Sequence, residues 1–415
     1  MSRKKRKQVR RSASVVGPKN TVGPKNTVGP ENTVRSEKIV GPEKIVGPEV
    51  MLTTRRKLVF SAVAVTMVFL GIEMVLRFAH LGDPPSVGVL RFGYESGIPL
   101  FDSDGIEQEG QPFRDFPIFE ADSRLFWKPI ANTPFTGADG LRLKSPTTKV
   151  KDKKVIRIGV IGDSCSFLGK DLYPNQLAKQ LEVSSGKSVE VVNASCPGYT
   201  SEQGARRLQD LWQWEPDVVL VYFGWNDHWK SLNGQTDRQL LQRQQLSEEA
   251  QSWLGMSRIV WSLYSLRAMM TPPVALERAP VRVPLDDYQE NLRSIFLECE
   301  QNECPVLCIT APSAFLKGQL PTWAYQFFGE IYGMTQQEVS AIPMTHQDYN
   351  EVVRRLCEDN EIAYLADVAA NWLSSADWED RLPERFRGDR IHLTEIGHRD
   401  VAIICHEVLE PIFGQ

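Results

Sequence analysis

Apolar positions are distributed in three different ways along this chain. From residue 154 onward, short apolar runs alternate with stretches of 3–4 spacing. The runs are Val155–Ile161 (broken only by Arg157), Ser188–Ala194, Asp217–Phe223, Pro305–Thr310 and Ile362–Leu365. The first is rich in β-branched residues and bounded by Gly162, the pattern of a buried parallel strand, and the others read as strands beside it. Between and after them, Leu172–Val183, Ser201–Trp214, Leu285–Gln301, Gln347–Asn360 and Thr394–Leu409 carry helical periodicity. Strand–helix alternation of this kind predicts an α/β fold: a three-layer α/β/α arrangement around a five-stranded parallel sheet with right-handed crossovers.

Upstream the pattern changes. Leu58–Leu76 holds 19 residues with one charge, Glu73, and no amphipathic spacing. A single N-terminal transmembrane helix over about residues 58–78 is expected, with Glu73 paired to Arg77 one turn later. A cleaved signal peptide is the rival; the apolar stretch is long for one, and no small-x-small cleavage site follows. Arg55, Arg56 and Lys57 flank the N-side, so the N-terminus is expected in the cytoplasm and residues 80–415 outside it.

Ahead of the span lie the basic cluster MSRKKRKQVRR and hexapeptides beginning at Val16, Val22, Val28, Val34, Val40 and Val46, most of them VGPxxx. Repeated Gly-Pro excludes a helix, and the apolar content is too low for a solenoid. Residues 1–57 are read as a disordered basic cytoplasmic tail. Met51 opens MLTTRRKLVF, which reads as a natural start, and N-terminal sequencing separates a start at Met1 from one at Met51. Residues 79–153 show few periodic signals and are expected to pack as a lead-in along the α/β domain, residues 154–415.

Charge sharpens the division. Residues 1–57 carry 15 Lys/Arg and 4 Asp/Glu, leaving 33 Lys/Arg and 48 Asp/Glu, a net of −15, on the rest. An acidic folded part argues against nucleic acid as partner. Seven cysteines, Cys165, Cys196, Cys299, Cys304, Cys308, Cys357 and Cys405, all fall in the α/β region without C-x-x-C spacing, and the six histidines are scattered. No metal and no cofactor are expected. Cys165 and Cys196 lie just past the ends of the first two strand runs and are a candidate disulfide; buried free thiols are the alternative.

The candidate chemistry sits where the strands end. Gly162-Asp163-Ser164 closes the first strand, Gly198 follows the second, Gly224-Trp225-Asn226-Asp227 the third, and Asp389-Arg390-Ile391-His392 precedes the last helix. The carboxyl edge of an open parallel sheet is where ligands bind. A serine nucleophile needs a base, for which His392 is the candidate, and Asp389 three residues earlier can hold the other imidazole nitrogen. The Ser164 and Gly198 N–H groups and the Asn226 amide can receive an oxyanion. Taken singly, Ser164 reads as a helix cap, Gly198 and Asn226–Asp227 as turns, and His398 and His406 as helix-face residues.

With these residues in hand, the chain resembles the SGNH hydrolase superfamily, the GDSL-like lipases and esterases. The resemblance rests on GDS at 162–164, NASCPGYTSEQ at 193–203, GWND at 224–227 and DRIH at 389–392, in the family's order. It implies a flavodoxin-like fold, Ser164 as nucleophile, Gly198 and Asn226 as oxyanion donors with Ser164, and His392 and Asp389 as the rest of a triad. The implied activity is hydrolysis of an oxygen ester, of an acetylated glycan or a lipid. Transfer of the acyl group to a polysaccharide hydroxyl, or an inactive anchored binding module, are the alternatives. Two insertions, about 229–284 and 313–345, are rich in large apolar residues and read either as packing on the core or as a lid.

Overall fold

The computed structural model describes residues 53–79, 81, 119–122, 124–133, 135–142, 148–231, 234–245, 257–260, 262–263, 266 and 279–414. The hexapeptide repeats and much of the first insertion, including Trp253, Trp261, Met269 and Met270, lie outside the described residues. The chain divides into two compact units, residues 1–64 and 65–415. Helix α1 (Thr54–Phe78) has 25 residues, none of them buried, and is long and apolar enough to cross a membrane. Glu73 meets Arg77 at 2.8 Å, as the four-residue spacing predicts. The same carboxylate also accepts from Ser257 Oγ and from the Arg258 and Ile259 N–H groups at 2.9–3.2 Å, contacts that no sequence pattern announces.

In the lead-in, β1 (Phe119–Asp122) and β2 (Phe126–Pro129) form an antiparallel hairpin, with Phe119 opposite Pro129. Their sequences, FEAD and FWKP, mix charged with apolar residues and belong to no strand–helix alternation, so the sequence pattern does not reveal them. Leu125 and Trp127 of this hairpin are fully buried.

The main sheet contains β3 (Val155–Gly162), β4 (Ser188–Asn193), β5 (Val218–Tyr222), β6 (Val306–Ile309) and β7 (Ala363–Ala366), all parallel, in the order β4-β3-β5-β6-β7. Strand β3 lies inside the sheet, between β4 and β5, and is nearly all buried. Its one charge, Arg157, donates to Glu190 at 2.6 and 2.9 Å and to the Lys149 carbonyl at 2.9 Å, which is how a buried guanidinium is accommodated. Alternation along β3 sends Ile158 and Val160 to one face and Ile161 to the other.

Helices α2 (Tyr173–Ser185) and, at the end of the chain, α10 (Glu395–Phe413) pack on the first face; α3 (Ser201–Leu208), α5 (Leu285–Gln301) and α7 (Gln336–Glu358) cover the second. Helices α4 (Asp237–Gln245), α6 (Thr322–Tyr332), α8 (Val368–Ser374) and α9 (Trp378–Arg385) complete the set of labelled helices. Two expected helices differ most in their bounds. The one expected over Ser201–Trp214 stops at Leu208 and gives way to a 3-10 turn, Trp212–Trp214, before Glu215 turns left-handed (φ 49°) and leads back toward β5. The one expected from Gln347 begins at Gln336, started by a Thr335/Glu338 capping box, and runs through Pro343. In the second insertion, Phe315, Phe328 and Tyr332 are buried in the core, and Trp229 packs edge-on against Phe328 and Tyr332.

Candidate active site

Strand β3 ends at Gly162, and Asp163 starts a tight 3-10 turn, Ser164–Ser166, by accepting the Cys165 N–H at 2.8 Å. This turn lifts Ser164 onto the carboxyl edge of the sheet. Ser164 Oγ lies 2.8 Å from His392 Nε2, and His392 Nδ1 lies 2.7 Å from Asp389 Oδ2. Asp389 Oδ1 accepts the Ile391 and His392 N–H groups at 2.9 and 2.8 Å. Arg390, left-handed at φ 62°, makes the turn that folds the carboxylate back over both. Burial alone would raise the Asp389 carboxyl, but the charge and hydrogen bond of His392 and the two backbone N–H groups hold it down at about 2. Asp389 is therefore a carboxylate across the physiological range, able to fix the His392 tautomer.

The two other expected residues come to the same place. Gly198 adopts φ 77°, a left-handed turn that favours glycine, in the loop after β4. Asn226 Nδ2 reaches Asp163 Oδ2 at 3.4 Å, beside the serine turn, and donates to the Tyr199 carbonyl at 3.1 Å. A hydrogen of that amide aimed at an oxyanion would replace the longer, weaker of these bonds.

Three groups at the site went unassigned in the sequence. Asp163 is fully buried, and burial lifts its carboxyl to about 6 against the Cys165 N–H and His392. Asp227, lifted by burial to about 7, accepts from Ser201 N, Ser201 Oγ and Gly224 N at 2.8, 2.6 and 3.1 Å, so it ties the GWND turn to the start of α3. Arg142, from the lead-in, donates to the Phe167 and Gly169 carbonyls at 2.9 Å and so braces the exit of the serine turn. A buried arginine on backbone oxygens leaves no periodic mark, whereas Asp163 and Asp227 stand inside the quoted motifs and were legible as neighbours of the site.

Two histidines set aside as helix-face residues have structural partners. His398 is buried behind the serine turn, 3.2 Å from the Leu168 carbonyl, and His406 lies 3.1 Å from Ser184 Oγ. All seven cysteines are free and buried, which corrects the candidate Cys165–Cys196 pair. Cys165 belongs to the core beneath α2 and α10, Cys196 to the core on the opposite face, and the sheet stands between them. Among the described residues no group of three His, Cys, Asp or Glu is placed to hold a metal.

Residues 160–399, more than half the chain, match the model of a family described as GDSL-like lipase/acylhydrolase. Among solved structures the chain is similar to a lipase/acylhydrolase from Enterococcus faecalis (14% identity, TM-score 0.38, covering 62% of this chain and 96% of that one). It is also similar to a family 3 carbohydrate esterase from Clostridium thermocellum (15%, 0.35, 63% and 98%). A third is a catalytic mutant of an acetylxylan esterase from Geobacillus stearothermophilus (18%, 0.36, 63% and 96%). No curated protein matches the chain.

Proposed function

The chain belongs to the GDSL-like lipase/acylhydrolase family, ester-hydrolysing serine enzymes, and from that premise we propose that it is a membrane-anchored serine esterase with Ser164 as nucleophile, His392 as general base and Asp389 as the group that orients it. The observation that carries this reading is the unbroken hydrogen-bonded line Ser164–His392–Asp389 at 2.8 and 2.7 Å. Ser164 Oγ attacks the ester carbonyl while its proton passes to His392 Nε2; Asp389 stabilises the imidazolium through Nδ1. The carbonyl oxygen, now an oxyanion, is received by the Ser164 and Gly198 N–H groups and the Asn226 amide, each worth about 3 kcal/mol of barrier. His392 then protonates the departing alcohol, leaving the acyl group on Ser164. Water, deprotonated by His392, releases the acid and restores the serine. The substrate class is an O-acetylated glycan or a lipid ester. Helix α1 anchors the chain, with the basic tail in the cytoplasm and the catalytic domain outside it.

The test uses the full chain in detergent micelles. A fluorophosphonate reagent should label the wild type and leave Ser164→Ala unlabelled. Turnover of para-nitrophenyl acetate should fall at least about a thousandfold in both Ser164→Ala and His392→Ala. A folded wild type that neither labels nor turns over the ester would make the chain an anchored binding module instead. Faster acyl release when sugar acceptors are added, with acylated sugar as product, would make it a transferase.

A further inference from the structure

An oxyanion donor helps only if its direction is set before charge develops. The Gly198 N–H makes no hydrogen bond among the described residues, so nothing grips it directly. Its direction is nevertheless determined. In a planar trans peptide the Gly198 N–H points opposite to the Pro197 carbonyl, in one plane. A group that holds the Pro197 oxygen therefore aims the Gly198 hydrogen. That group is Trp127, whose indole Nε1–H donates to Pro197 O at 3.2 Å. The next peptide plane is held at its own oxygen, where Arg282 Nη1 donates to Gly198 O at 2.8 Å. Glycine at φ 77° is the hinge between the two planes, and without outside grips it would be the least restrained point of the loop.

We propose that Trp127 and Arg282 are positioning residues that aim the Gly198 N–H at the developing oxyanion. The inference rests on the esterase reading above and adds two residues to it from outside the quoted motifs. Trp127 lies ahead of the matched family region and Arg282 at the end of the first insertion. Both are themselves fixed. Trp127 is fully buried in β2, and its carbonyl accepts the Tyr199 hydroxyl at 2.8 Å. The Arg282 guanidinium stands over the Trp127 ring at 5.9 Å and pairs with buried Asp237 at 2.8 Å. Asp237 Oδ2 in turn accepts the Thr200 hydroxyl at 3.0 Å, and Gln203 links Thr200 N, Arg282 and the Leu125 carbonyl. The backbone around Arg282 is tied to the other donor's loop, since Val283 N donates to Asp227 O and Arg282 N to Trp229 O at 2.9 and 2.8 Å. One network thus locks the Gly198 loop and the Asn226 loop into a single frame.

Trp127→Phe removes the donor and keeps an aromatic ring. Arg282→Lys keeps a charge for Asp237 and loses the fork that also reaches Gly198 O. Trp212→Phe is the control: it loses an indole bond, 2.6 Å to Glu298, away from the loop. The full chain in micelles is assayed with para-nitrophenyl acetate and its thionoacetate analogue, whose developing sulfur anion is a poor acceptor for N–H donors. Trp127→Phe should lower kcat about tenfold or more with KM within about twofold, and shrink the ester-to-thionoester ratio of kcat/KM. The pH profile of kcat should not move, because His392 and Asp389 keep their partners. Arg282→Lys should shrink the same ratio and carries the test if Trp127→Phe does not fold; Trp212→Phe should leave it alone. Wild-type kcat in both folded variants, or a lower kcat at an unchanged ester-to-thionoester ratio, overturns the assignment. A folded wild type inactive on both esters overturns the esterase reading and this inference with it, whereas activity lost in Ser164→Ala alone overturns only the latter.

Discussion

At the scale of single residues, burial and hydrogen bonding together decide which groups are charged. Asp389 is held ionised at about 2, so its bond to His392 persists through the physiological range. Asp389→Asn should retain the fold and lower kcat on an acetate ester by a thousandfold or more, on the order of the loss expected when the wrong imidazole tautomer is held; steady-state kinetics at pH 7 checks it. Burial also pushes His346 down to about 4, where it lies between the Ala311 carbonyl, 2.8 Å from Nε2, and His228, 3.1 Å from Nδ1, with Trp225 stacked on its ring. The folded state keeps this imidazole neutral, whereas the unfolded chain protonates it below its ordinary value of 6.5. Stability from this group is therefore complete above 6.5 and is lost as pH falls toward 4. Asp163 and Asp227, raised by burial, act in the opposite direction, losing stability as pH rises from 3.8 to about 6 and about 7. The comparison that isolates His346 is thus a difference: Tm from pH 6.5 to 4 should fall less steeply in His346→Asn than in the wild type. Parallel slopes would refute it.

At the scale of elements, close approach matters more than propensity. Helix α3 bears Gly204 where a Cβ would stand 2.2 Å from the Phe223 ring at the end of β5. The Phe223 ring is itself buried, so it cannot swing away. Gly204→Ala should cost about 1–3 kcal/mol despite the better helix propensity of alanine, and denaturant unfolding should show part of that loss recovered in the double variant with Phe223→Leu. A stable single variant would mean that α3 slides freely on the sheet. The elements legible in the sequence were the five apolar runs of the main sheet and the long helices that alternate with them. The hairpin β1–β2 and the extension of α7 back to Gln336 were not. The hairpin strands FEAD and FWKP mix charged with apolar residues and stand outside the strand–helix alternation, and Pro343 marks a helix start more often than an interior.

At the scale of the whole molecule, the sheet organises both the site and the cysteines. With Cys165 and Cys196 on opposite faces and all seven thiols buried, denatured protein should titrate seven thiols and native protein almost none; fewer than seven after unfolding would reveal a disulfide. If α1 spans a membrane, protease added outside intact cells should digest the catalytic domain and spare the basic tail, and release of the full chain by high salt would refute an integral anchor. The sequence by itself determined the alternating strands and helices, the apolar span, and the order of the four motif blocks, because each strand, helix, span and block is written in a short run of adjacent positions. Only the tertiary structure decided that Trp127 meets Pro197 across 70 residues, that Arg282 meets Gly198 across 84, and that Phe315, Phe328 and Tyr332 of the second insertion enter the core. Those contacts depend on which faces the sheet brings together, and pairing between distant residues of unlike chemistry leaves no periodic trace in one sequence.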